Sequence, residues 1–458
     1  MFIIYAARYL GASGYGRYSF VIVFISYFSF LSEFGLDWVI IRDVATDKTK
    51  VKTYMSGAIL LRGCLSILAI ALAWGSIFVL KKPTLLPLLL IASGSLITSS
   101  LTGIFNSAFQ AFERMQYIAF IDIPYSVFRP ALSIFVLASG GNLKALLICQ
   151  LIVDVLRTLV GSILYLTKIA NISICSDSAL LKLLIKSSLP LMLWKLFTLA
   201  EQRINFLLLA FIAGEMAVGW YAAPLKLIDL VGLLILAAAD ALLPLLSRLF
   251  VDSKERFLQV VDDTLRYIMI IFFPIALGTF VLARPIILLL FGNQYVNSIQ
   301  IFQYLAWLIF LLPSRFLLST MLLAMRDWKV GAIMQAFAAI MAITSGMILI
   351  SVNKHVGAAQ AFLLTEIIIT ITLAVYLRSK ISWQPIQTAL KAWPKLLTLW
   401  TVFGFFLYMF KTVNLVFLIP SCILGYVAGV FFLRLITSKE VSNVKRLLLQ
   451  RSGNPTKV

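Results

Sequence analysis

Histidine is almost missing from this chain: one residue, His355, among 458. That single imidazole lies in a short connection between apolar runs, which excludes a histidine-built metal site and a histidine-based catalytic triad. Cysteine is scarce as well. Cys64, Cys149, Cys175 and Cys422 have no paired spacing, and three of them fall in apolar runs. They read as small apolar residues rather than as a disulfide or metal framework, and no metal or cofactor is expected. Charged residues make up only 13% of the chain, and acids are outnumbered by bases, 19 to 39. Large external loops are lacking too, so a membrane glycosyltransferase or polymerase has no place for its donor and acceptor sites, and no carboxylate or histidine cluster is placed for catalysis.

What fills the chain instead is apolar sequence. Hydrophobic residues account for 61% of it, in successive runs of twenty or more residues. Each run can cross a hydrocarbon core of roughly 30 Å, and in lipid the backbone must satisfy itself, so the runs are helices. The expected class is an all-α polytopic membrane protein. The net charge of +20 could point to nucleic acid, but its distribution argues against that. With the loop 42–53 placed in the cytoplasm, the cytoplasmic loops and tail hold 23 Lys and Arg, against 7 in the opposite loops. This is the positive-inside asymmetry of a membrane protein.

The runs repeat. Gly11, Gly16, Tyr18 and Asp37 recur as Gly214, Gly219, Tyr221 and Asp240. The runs near 56–80, 84–109, 117–139 and 143–167 have counterparts near 263–291, 299–323, 330–352 and 357–377. The chain therefore divides into an N-terminal lobe, 1–167, a cytoplasmic linker, 168–186, and a homologous C-terminal lobe, 187–377. Two additional transmembrane helices over 378–436 and a basic cytoplasmic tail, 437–458, follow. One long helix is expected from Tyr18 to Ile41. By the repeat, the first helix starts about sixteen residues late and reads as truncated.

Charges at membrane depth cost roughly 2.5–3.5 kcal/mol each on insertion scales, so they should face one another or a water-filled cavity. Local spacing pairs Asp154 with Arg157, Lys226 with Asp229, and Asp262 or Asp263 with Arg266. Arg62, Arg129, Lys195, Arg203 and Arg315 have no acid three or four residues away and read as lone cations of an anion-binding cavity. Asp37, Glu201, Asp240 and Glu366 are the acids that could take a coupling proton or Na⁺.

The segments ARYLGASGYGRYSF, SEFGLDWVIIRDVA, KSSLPLM, QRINFLLLAFIAG, VGWYAAPLKL, LLPLLSRL, ARPIILLLFGNQY and VGAAQAFLLTE occur in this order from Ala7 to Glu366. Together they resemble the polysaccharide-export branch of the MATE-like (MOP) exporter superfamily, which includes the Wzx-type O-antigen flippases. The resemblance implies two six-helix lobes around a central cavity. It implies transfer of an undecaprenyl-diphosphate-linked oligosaccharide across a bacterial inner membrane, with a polymerase and chain-length regulator as pathway partners. Arg8 resembles a cavity arginine of the related lipid II flippases. Asn205 stands where the family often has an acid. A cation-coupled drug exporter of the same fold is the alternative, but it would want an anionic cavity.

Overall fold

The structure is a computed structural model. It describes residues 1–79, 85–171, 178–381, 386–410, 415–433 and 435, and among these there is no strand. The side chains of 77–79, 233–234, 236–241, 328, 386–393 and 415–416 lie outside the description, as does the basic tail. The helices are α1 (Phe2–Glu33), α2 (Leu36–Thr46), α3 (Val51–Val79), α4 (Leu86–Ala111), α5 (Met115–Ala138), α6 (Leu143–Lys168), α7 (Ser178–Ile212), α8 (Glu215–Asp252) and α9 (Lys254–Val281). They continue as α10 (Ala283–Phe291), α11 (Ser298–Ala306), α12 (Leu308–Ala324), α13 (Trp328–Ile381), α14 (Ile386–Met409) and α15 (Leu415–Phe432). Nine helical stretches among the described residues are long and apolar enough to cross a membrane.

The two longest of these stretches, Phe2–Thr46 and Lys329–Ile381, are both broken where the backbone leaves the helical region. In α13, 54 residues long, Lys354 adopts φ 48° and ψ −123°. At 1.5 Å per residue the unbroken helix would greatly exceed the membrane. In α1 the break is Gly11, at φ 68° and ψ 176°. Its repeat equivalent Gly214, between α7 and α8, has φ 84°. Both copies thus place a glycine where a side chain would be strained.

The expected single helix from Tyr18 to Ile41 is corrected. It ends at Glu33, and Phe34 (φ 51°) and Gly35 (φ 69°) turn the chain into α2. A side chain at Gly35 would also sit 2.8 Å from Cβ of Leu191 on α7. The run 263–291 likewise divides into α9 and α10, and the run 299–323 into α11 and α12.

Two turns show the repeat at backbone level. The Glu113 amide donates to the Gln110 carbonyl and the Arg114 amide to that of Phe109. In the same pattern, Arg326 donates to Leu323 and Asp327 to Leu322. Glu113 and Arg326 both hold positive φ, 58° and 59°. A non-glycine residue pays roughly 1–2 kcal/mol there. Glu113→Gly and Arg326→Gly are therefore each expected to raise thermal stability by roughly 1 kcal/mol, read as a higher Tm of the purified protein. A lowered Tm in both would contradict this reading of the turns.

The chain forms two compact units. The first contains Met1–Lys226, Leu290–Ile301 and Ala332–Thr365; the second contains Leu227–Leu289, Phe302–Gly331 and Glu366–Val458. In the first unit a buried cluster includes Leu36, Ile40, Met55, Ile104, Phe109, Tyr165 and Leu184, joining α2, α3, α4, α6 and α7. In lipid such a core gains mainly from close packing, since the surrounding tails are as apolar as the interior.

In the second unit the C-terminal pair packs on α9. Phe273 stacks on Trp400 at 3.7 Å between ring centroids, and the Tyr426 hydroxyl donates to the Ile270 carbonyl at 2.8 Å. At the α12–α13 turn, Asp327 accepts from Tyr376 (2.6 Å) and Lys380 (3.0 Å). These donors, the tyrosine foremost, hold its carboxyl below the usual carboxylate range.

Candidate functional site

The first unit carries a network of charges at the break between α1 and α2. Asp37, in the first turn of α2, pairs with Arg62 of α3 at 2.7 Å and accepts from Ser107 of α4 at 2.9 Å. Arg62 is fully buried and also donates to the Ser100 carbonyl at 2.5 Å. The pair fits because α4 has no side chain at the crossing: a Cβ on Gly103 would lie 2.8 Å from an Arg62 nitrogen. On the other side of the break, Glu33 pairs with Lys195 of α7. The two acids that flank Phe34 and Gly35 thus tie the break to different neighbours.

A cavity of about 290 Å³ opens beside this network, bounded by α1, α4, α5 and α6. Its charged lining is Glu33, Arg129, Asp154 and Arg157. Asp154 accepts from the Tyr125 hydroxyl at 2.7 Å and pairs with Arg129 at 3.2 Å. Arg157 turns instead to Asp122 on α5, donating through two nitrogens at 3.0 and 2.7 Å, and lies 4.3 Å over the Tyr125 ring. Gln150, also on the lining, is buried and bridges Tyr18, Ser133 and Arg129.

These contacts correct two sequence expectations. Arg62, Arg129, Lys195 and Arg315 are not lone cations: each has an acid on another helix, Arg315 pairing with Glu366 at 2.7 Å in the second unit. Asp154 and Arg157 do not pair with each other, because Arg129 and Tyr125 already claim Asp154. The expected local pair between Asp263 and Arg266 does form, at 3.6 Å. The remaining sites are dispersed. Arg8 is exposed and donates to the Leu290 carbonyl at 2.8 Å. Arg203 lies 5.8 Å over the Phe206 ring. Glu201 is buried and accepts from Gln335. The Asp240 side chain falls outside the description. Gln150 was not singled out from the sequence, since an uncharged amide in an apolar helix carries no signal of its own.

The helices and their glycine breaks define a polytopic helical membrane protein. The chain superposes on a lipid II flippase MurJ in its inward closed conformation with TM-score 0.76 and 16% identity, covering 98% of this chain and 96% of that one. It superposes on a multidrug resistance MATE family transporter of the MOP superfamily, inward-facing, with TM-score 0.69 and 15% identity, over 83% and 93%. An outward-facing structure of such a transporter gives TM-score 0.55 at 16% identity, over 83% and 91%. At these identities the likeness is one of fold. Comparison with curated proteins by sequence finds no match. The family model for polysaccharide biosynthesis protein matches residues 6–300, and that for lipid II flippase MurJ matches 178–428. The chain belongs to the polysaccharide biosynthesis protein family.

Proposed function

We propose that the protein is a flippase. It carries an undecaprenyl-diphosphate-linked oligosaccharide, an O-antigen or other surface-polysaccharide repeat unit, from the cytoplasmic to the periplasmic leaflet of a bacterial inner membrane. The observation that carries this reading is the family match over residues 6–300. The lipid II flippase match over 178–428 supports a lipid-linked cargo. In this reading 1–167 and 187–377 act as the two lobes of an alternating-access carrier, with 168–186 between them and 378–436 as an added helix pair. Arg8, Arg62, Arg129, Lys195, Arg203 and Arg315 are the cations proposed to bind the cargo in turn. Asp37, Glu201, Asp240 and Glu366 are the acids proposed to couple an ion. The protein makes and breaks no covalent bond, and a polymerase would consume its product.

Cells depleted of the protein are expected to accumulate lipid-linked oligosaccharide on the cytoplasmic face. Arg129→Ala should reproduce that block with normal amounts of inserted protein, and Arg129→Lys should rescue poorly because it loses the bidentate fork. Unchanged export on depletion would overturn the reading.

Moving about two negative charges outward across 100 mV, inside negative, is favoured by roughly 4–5 kcal/mol. Transport in proteoliposomes is therefore expected to accelerate when a valinomycin–K⁺ potential, inside negative, is imposed on the side from which cargo leaves. Transport indifferent to potential, pH and Na⁺ alike would remove the coupled mechanism and leave a gradient-driven facilitator.

A further inference from the structure

The cavity between α1, α4, α5 and α6 is unlike a diphosphate site. Its four charged lining groups cancel, two arginines against Glu33 and Asp154, and each arginine is already engaged with a carboxylate. The rest of the polar lining is mostly hydroxyl, and most of those hydroxyls are oriented. Ser26 donates to the Val23 carbonyl at 2.7 Å, Ser95 to that of Ala92 at 2.6 Å, and Thr98 to that of Ser95 at 3.2 Å. With its proton spent on its own helix, each presents only lone pairs to any ligand. The arginines supply N–H donors, and Tyr125 supplies an aromatic ring.

Three ligand chemistries can be weighed against this lining. An anion would meet lone pairs and two carboxylates. A simple cation would meet Arg129 and Arg157 within the same space. A polyhydroxylated ring suits both kinds of group at once, because each hydroxyl donates one hydrogen bond and accepts others. The volume agrees. About 290 Å³ is at the lower edge of the ~300–1,000 Å³ of small-molecule sites, enough for one ring and too little for an oligosaccharide.

We infer that this cavity is a sugar pocket that takes one uncharged pyranose ring of the cargo, with Gln150, Arg129 and Asp154 reading its hydroxyls. The inference rests on the flippase reading and adds to it: lipid and diphosphate are carried elsewhere, and this pocket selects the saccharide.

The test uses the purified full chain and two cavity-filling variants on different helices, Ser99→Leu on α4 and Ser29→Leu on α1. The probes are methyl glycosides of common hexoses and N-acetylhexosamines, with mannitol, NaCl and sodium pyrophosphate as controls. At least one glycoside is expected to raise the wild-type Tm in a saturable way. Either filled variant that folds should weaken that binding about tenfold or more, the loss of one or two hydrogen bonds. In proteoliposomes the filled variants should slow transfer of the oligosaccharide-bearing lipid by a similar factor and leave sugar-free polyprenyl diphosphate unaffected.

No shift with any glycoside would overturn the inference, as would an equal shift in a filled variant, or a shift with NaCl or pyrophosphate alone. If wild type moves the oligosaccharide lipid and both filled variants move it equally fast, the pocket falls while the flippase reading stands. If wild type moves no lipid-linked cargo, the flippase reading itself falls.

Discussion

Gly16→Ala and Gly219→Ala are each expected to leave little folded protein in the membrane. The two glycines are repeat equivalents, and they meet directly. A Cβ on Gly16 would overlap the carbonyl oxygen of Glu215, and a Cβ on Gly219 would overlap that of Ala12. Ala12 and Glu215 precede their glycines by four residues each, so the contact is reciprocal. The clash is with backbone on both sides, and no side chain can rotate out of the way. Overpacking commonly costs about 1–3 kcal/mol, and here two helices must separate, so roughly 3 kcal/mol or more is expected. The adjacent pair of Arg17 and Glu215, 2.5 Å apart, would be pulled open as well. Because either Cβ forces the same separation, the double variant should cost clearly less than the sum of the singles. Wild-type Tm and yield in Gly16→Ala would show that these helices do not cross as described.

Asp37→Ala should destabilise the protein more than Arg62→Leu. Both remove the same 2.7 Å ion pair, but they leave different remnants. Arg62 is fully buried, whereas Asp37 is 29% exposed on its side chain. Losing Asp37 strands a guanidinium in the interior, which costs roughly 3–5 kcal/mol. Losing Arg62 strands a carboxylate that is only partly buried and keeps the Ser107 hydroxyl. The apolar double variant Arg62→Met/Asp37→Leu should recover much of the stability, since replacing a buried pair wholesale is often neutral. Denaturation of the purified variants measures the order directly, and Arg62→Leu proving worse than Asp37→Ala would contradict the burial described.

Much of the architecture was legible in the sequence because membrane helices announce themselves by length and apolarity. The glycine positions of the repeat were legible too, since Gly11, Gly16, Gly214 and Gly219 are residues whose lack of a side chain is itself used. The charge partners were not. Sequence spacing reports neighbours on one helix, while Arg62 reaches Asp37, Lys195 reaches Glu33 and Arg315 reaches Glu366 across helices. The absence of a local partner therefore marked residues whose acid lies on another helix. The helix break at Phe34 was hidden for another reason: a phenylalanine at φ 51° gives no warning, and Gly35 alone inside an apolar run reads as tolerated. The pairing of charges around the cavity was not legible either, since Asp122 draws Arg157 away from Asp154, which only the packed helices show.

The most direct test of the account is leaflet transfer by the purified protein. Proteoliposomes containing the full chain and an undecaprenyl-diphosphate-linked oligosaccharide, fluorescently labelled on the sugar, would be probed with a membrane-impermeant quencher or glycosidase. The account predicts that the protected fraction becomes accessible at a rate proportional to the amount of protein, and that Arg129→Ala samples stay near the protein-free rate. Protein-independent access, or equal transfer by Arg129→Ala, would contradict it.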